Sequence, residues 1–228
     1  MAIPIQQILR IYDKRISGLS ANNIADYASA QRYAQKTGGI LADVISQFAD
    51  VSTMTEADAI SFFSTVLKHN HDVVQRACRR AQRGINNKAR ITLGLLDAEF
   101  DTEAARNVAY TVVDASEVTP AFVKNLIVNN SNHTVDESIR LNTQAHSEIG
   151  LAVHITRKYD DVGLHGGKDV CQWCLDREGD WTDYLEAYSA GAFERHPGCG
   201  CVITYEVGKT RTWSGAGWNW NALEDIGQ

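Results

Sequence analysis

Apolar residues recur at helical spacing through the first 150 residues, and each stretch carries its own start or stop signal. Ile40, Leu41, Val44, Ile45 and Phe48 form one stripe after Gly38-Gly39. Thr55 is placed to cap the next helix, whose stripe is Ala59, Ile60, Phe63, Val66 and Leu67. Val74, Ala77, Cys78 and Ala81 predict a further helix, with His69-Asn70-His71-Asp72 as the loop before it and Asp72 as its cap. Asp101 and Glu103 suit the start of a helix bearing Ala105, Val108, Ala109 and Val112. Thr119-Pro120 opens another, with Phe122, Val123, Leu126 and Ile127 inside it. Thr134-Val-Asp-Glu137 has the form of a capping box and predicts a new helix running to about Glu148, ended by Gly150.

Beyond Gly150 the period changes. Leu151 to Tyr159 is rich in β-branched and aromatic residues and predicts a strand. Val202 to Val207 and Thr210 to Trp213 predict two more around a turn at Gly208, with a short helical stretch near Tyr184–Phe193. The expected fold class is therefore mainly α: a helical body over residues 1–150 and a small α+β module over residues 151–228. Trp213, Trp218 and Trp220 crowd the tail and read as lids on that module.

Composition narrows the choices. A chain of 228 residues with 44% hydrophobic and 22% charged side chains can bury a core, which argues against disorder. The N-terminus lacks the pattern of a secretory signal, and no stretch reaches the roughly 20 apolar residues of a membrane span. A soluble protein made in a cytoplasm is expected. The net charge is −6, with the acid excess concentrated after residue 150. One segment opposes it: Arg76, Arg79, Arg80, Arg83, Lys88 and Arg90 occur with no acid among them. That segment is either a solvated helix face or a contact for packaged DNA or an acidic partner.

Four of the five cysteines fall between Cys171 and Cys201. Cys171-Gln-Trp-Cys174 is a Cys-x2-Cys pair, and His196-Pro-Gly-Cys199-Gly-Cys201 follows it. Disulfides would need an oxidising compartment, and a redox pair would leave His196, Cys199 and Cys201 without a role. Structural zinc takes four ligands, typically as two short-spaced pairs, so the expected ligands are Cys171, Cys174, His196 and one or both of Cys199 and Cys201. His165 is an outside candidate. Cys78 lies on an apolar stripe and reads as a core residue.

The sequences CQWC and ERHPGCGCVITY resemble the C-terminal zinc-type module of tailed-phage minor head proteins, the head morphogenesis family named after the Mu phage F protein. The family usually has Arg between the last two cysteines, where this chain has Gly200. The resemblance covers about 60 residues by motif and the rest by architecture. It implies a structural and assembly protein of the virion, made in the host cytoplasm. It also implies capsid or portal proteins as partners and no catalytic residue. Packaged DNA as a partner of Arg76, Arg79, Arg80 and Arg83 is read from their charge alone and stands beside the solvated-face reading. The rival reading is a zinc-containing nuclease or other DNA-processing enzyme. It would use His154 or His165 beside the cysteine cluster, or the His69-Asn70-His71 run as a nuclease motif.

Overall fold

The computed structural model describes residues 4–159, 172–196 and 198–208. It is mainly helical, with a small three-stranded antiparallel sheet toward the C-terminus. In chain order the elements are α1 (Ile5–Ile16), α2 (Tyr27–Phe48), α3 (Glu56–Ala89), α4 (Thr102–Val113), α5 (Pro120–Glu148), β1 (Val153–Tyr159), α6 (Gln172–Leu175), β2 (Gly179–Trp181), α7 (Tyr184–Ser189) and β3 (Cys201–Val207).

The helix starts follow local chemistry. Side-chain oxygens of Thr55, Asp101 and Thr119 accept from backbone N–H groups of Asp58, Ala104 and Phe122, satisfying donors that the first turn leaves open. Asp26 and Ser29 form a reciprocal capping box at the start of α2. This helix begins well before Gly38-Gly39 and runs straight through them. Gly38 stands where a Cβ would lie 2.5 Å from Ser131 Oγ, so the glycine marks the close approach of α2 to α5 rather than a break.

Two expected breaks are absent. The run His69–Asp72 lies inside the continuous helix α3, not in a loop. Asn70 is fully buried, accepting from the Tyr12 hydroxyl at 2.6 Å and donating to Ser131 Oγ at 2.7 Å. His71 Nδ1 meets Thr134 Oγ1 at 3.2 Å, and Asp72 pairs with Lys68 one turn back instead of capping. Thr134–Glu137 likewise lies within α5, which is one helix from Pro120. Asn70 and His71, which look like part of a break, pair across the α3–α5 seam with Ser131 and Thr134.

α1 to α5 bury one apolar cluster that includes Ile8, Leu41, Phe63, Leu67, Val112 and Ile127. A second cluster joins Tyr27, Val74, Val135 and Ile139 of the helices to Ile155, Ile203 and Tyr205 of the sheet. β1 is the central strand, paired with β2 (Ile155 opposite Trp181) and with β3 (Val153 opposite Val207 through Tyr159 opposite Cys201). Edge strand β3 is covered by Gln31 of α2. Its side-chain amide donates to the Cys201 carbonyl at 2.7 Å and accepts from the Ile203 N–H at 3.4 Å. The strand expected at Thr210–Trp213, with Trp218 and Trp220, lies outside the described residues. β2 was not expected from the sequence. Among the described residues no helix is long and apolar enough to cross a membrane.

Candidate metal centre

Cys174 enters the site from the short helix α6, and His196 and Cys199 enter from the turn before β3. The Cys199 N–H donates to the His196 carbonyl at 3.0 Å, and Gly198 has φ +79°. A glycine adopts that positive φ without the penalty a Cβ would bring. The turn brings residues three apart in sequence to one point.

There the ligand atoms of Cys174, His196 and Cys199 all lie within 4.8 Å of one another, so these residues could hold a metal ion. Cys174 Sγ stands 3.0 Å from His196 Nε2 and 3.7 Å from Cys199 Sγ. With Zn–S bonds of about 2.3 Å, two sulfurs on a tetrahedral zinc stand about 3.7–3.8 Å apart, so the sulfur spacing fits. Cys174, Cys199 and Cys201 are buried together, with the Trp173 ring packed against them. Cys201 is outside the three-residue group but within hydrogen-bonding reach of Cys199. Cys171 and His165 lie outside the described residues.

The surroundings are cationic, which suits thiolates. Arg157 is fully buried; its Nη1 donates to the carbonyls of Gly191 (3.2 Å), Ala192 (2.9 Å) and Glu194 (2.6 Å), and its Nη2 points at Cys199 Sγ from 3.7 Å. Arg195 Nη1 donates to the Cys199 carbonyl at 3.3 Å while the rest of its head is bonded to Asp136 of α5. The hydrogen bond from Cys201 holds the Cys199 thiol below its ordinary value. The guanidiniums of Arg195 and Arg157 act the same way, against the opposing effect of burial. The same hydrogen bond raises Cys201. His196 meets the Trp173 ring edge-on at 4.9 Å, and Arg177 lies over that ring at 3.9 Å.

Arg157 and Arg195 escaped the sequence reading, yet β1 carried a signal. Val153, Ile155 and Arg157 share one face of the strand, and the first two are plainly core residues. An arginine in that phase must find buried acceptors.

The other candidates lie elsewhere. His154 is on the exposed face of β1, 3.7 Å from Asp180. His69 pairs with Asp13 at 2.7 Å on the helical body. Cys78 is buried among the helices, and burial pushes its thiol up to about 12, the behaviour of an inert core residue. Of the basic segment, Arg79 is bound to Asp97 and Lys88 to Glu206. Arg80 donates to the Ala21 carbonyl. No protein-family model, curated protein or solved structure matches the chain.

Proposed function

We propose that this chain is a minor head protein of a tailed phage, a structural and assembly component stapled by one zinc ion. Cys174, His196 and Cys199 supply three ligands, and the fourth comes from Cys171 or Cys201. The observation that carries the metal reading is the group of two buried thiols and a half-buried imidazole, wrapped by Arg157, Arg195 and Trp173. The head-protein reading rests on the CQWC and ERHPGCGCVITY segments that form this group. A metal bound here supplies folding energy, because its ligands come from two separated segments that have little apolar core of their own.

Capsid or portal proteins are the partners, and the virion is the location. The zinc-nuclease alternative has less support. It needs an open coordination position and a histidine beside the metal, while His154 stands on the exposed side of the sheet and His69 and His71 belong to α3.

Two experiments test the proposal. Elemental analysis of the purified protein is expected to return one zinc per chain, with X-ray absorption showing at least three sulfur ligands and no water oxygen. Mass spectrometry of purified particles is expected to detect the chain. Metal well below one equivalent refutes the zinc site, and absence from particles refutes the head role.

A further inference from the structure

Arg76, Arg80 and Arg83 recur at i, i+4 and i+7 on α3, and Arg32 and Lys36 at i and i+4 on α2, so each set lies on one stripe of its helix. The two stripes meet. Tyr33, half-buried between them, is within electrostatic reach of both Arg76 and Arg80. Arg80 Nη1 donates to the Ala21 carbonyl at 2.9 Å, in the turn that closes one end of a surface cleft of about 340 Å³. Ser20, Asn23, Ser29, Arg32, Tyr33 and Lys36 line that cleft, with no acid among its lining residues.

The five cations are exposed, and among the described residues Arg32, Lys36, Arg76 and Arg83 form no ion pair. Nearby acids are already engaged. Asp26 caps α2, Asp72 holds Lys68, and Asp13 holds His69. A protein of net charge −6 thus keeps five positive side chains on adjoining stripes, four of them in no ion pair among the described residues, an arrangement whose self-repulsion a polyanion relieves.

We infer that this α2–α3 face binds the phosphodiester backbone of double-stranded DNA, independently of sequence, through Arg32, Lys36, Arg76, Arg80 and Arg83. The Ser20 and Tyr33 hydroxyls and the Asn23 amide in the cleft add neutral donors for phosphate oxygens, while the Ser29 hydroxyl stays with Asp26 in the capping box. The large apolar side chains that are exposed, such as Tyr110, Leu185 and Tyr188, belong to other elements. Among the described residues the face exposes no large apolar wedge of the kind a membrane surface calls for, and its one ring, the half-buried Tyr33, is not the row of aromatics on which successive single-stranded bases stack. Arg79, held by Asp97, takes no part. The inference goes beyond the head-protein reading and uses none of the metal-site residues, so either can fail alone.

The test is fluorescence anisotropy with a labelled mixed-sequence DNA duplex over a salt series. Five phosphate contacts predict that affinity falls about 500-fold between roughly 50 and 200 mM salt. The combined variant Arg32→Gln, Lys36→Gln, Arg76→Gln, Arg83→Gln should reduce that fall to about fourfold. Arg79→Gln should leave it unchanged, and Arg32→Lys, Arg76→Lys, Arg83→Lys should retain it. Circular dichroism and zinc content check the fold. If the combined variant does not fold, Arg32→Gln and Arg83→Gln singly should each lower the log–log slope by about 0.9. No duplex binding at low salt overturns the inference. So does tighter binding to the matching single strand, to poly-glutamate, or to phosphatidylserine–phosphatidylcholine vesicles.

Discussion

Arg195 and Asp136, 59 positions apart, form a buried ion pair that ties the turn of the metal centre to the middle of α5. Arg195 Nη2 donates to Asp136 Oδ1 at 3.0 Å, Nε bonds the other oxygen, and the side chains are 3% and 1% exposed. Removing one partner leaves the other charged in the interior, which costs about 3–5 kcal/mol, whereas exchanging both for apolar residues of similar volume is often neutral. Asp136→Ala and Arg195→Ala should each lower the midpoint of urea unfolding strongly. The double variant Asp136→Leu, Arg195→Met should recover most of the loss. Equal losses in the single and double variants would show that the pair is not what matters there.

Two glycines predict opposite effects. At Gly84 in α3 a Cβ would lie 2.1 Å from the Ala25 carbonyl oxygen, a backbone atom that cannot give way cheaply. At Gly39 in α2 it would meet only Lys124 Cε at 3.5 Å. Gly39→Ala should stabilise by about 0.5–1 kcal/mol through helix propensity. Gly84→Ala gains the same propensity but suffers overpacking of about 1–3 kcal/mol, and should be destabilised on balance. Equilibrium denaturation decides, and a Gly84→Ala protein as stable as wild type would mean that the turn before α2 moves freely.

What could be read in the chain and what could not follow one physical division. Short-range chemistry was legible: the caps at Thr55 and Thr119, the acidic start at Asp101, the β-branched and aromatic content of β1, and the ligand spacing that brings Cys174, His196 and Cys199 together. Cross-element pairing was not. Asn70 and Thr134 imitate helix breaks until their partners on the facing helix are known. Gly38 imitates a stop until Ser131 is seen against it. β2 has three residues and exists through its pairing with β1, so no periodicity announces it. Arg157 lies 42 positions from Cys199, and only its phase in β1 hints at burial, while Arg195, next to His196, shows its role only once Asp136 of α5 is seen against it.

Burial also gives a pH dependence. His71 and His146 are both pushed below the ordinary histidine value by desolvation. His146 Nδ1 meets the Tyr205 hydroxyl at 3.3 Å, while Nε2 has no partner among the described residues. The unfolded chain therefore takes up protons that the folded chain refuses. Stability is full above the unfolded value of 6.5 and falls as pH drops below it, toward the lowered folded value, at up to about 1.4 kcal/mol per pH unit for each histidine. His146→Gln should flatten the decline below about pH 6.5 by up to one histidine's share. Chemical denaturation at several pH values measures this. An unchanged slope would show that His146 is not the group responsible.

The last prediction concerns Arg157 as a support for the metal centre. Its guanidinium gathers the carbonyls of Gly191, Ala192 and Glu194 and reaches Cys199 Sγ, so one side chain fixes the loop before His196 and offsets charge on a ligand sulfur. Groups that orient a metal's ligands typically change its affinity by 10–100-fold when removed. Arg157→Met keeps the packing volume but abandons two buried carbonyls and a part-buried one, and it should weaken zinc by about that factor in competition with a chromogenic chelator. Arg157→Lys keeps the charge on a single nitrogen that cannot serve the carbonyls and the sulfur together, so it should fall between wild type and Met. Arg177→Met is the control, because Arg177 covers the Trp173 ring and bonds Glu194 without reaching a sulfur. The same variants separate affinity from folding. The sheet is held to the helices by Ile155, Ile203 and Tyr205 independently of any metal. Hydrogen exchange in Arg157→Met should accelerate in α6, α7 and the turn at Cys199, while the outer helices α1 and α4 stay protected. Unchanged zinc affinity in Arg157→Met would reduce Arg157 to a loop clamp with no influence on the site.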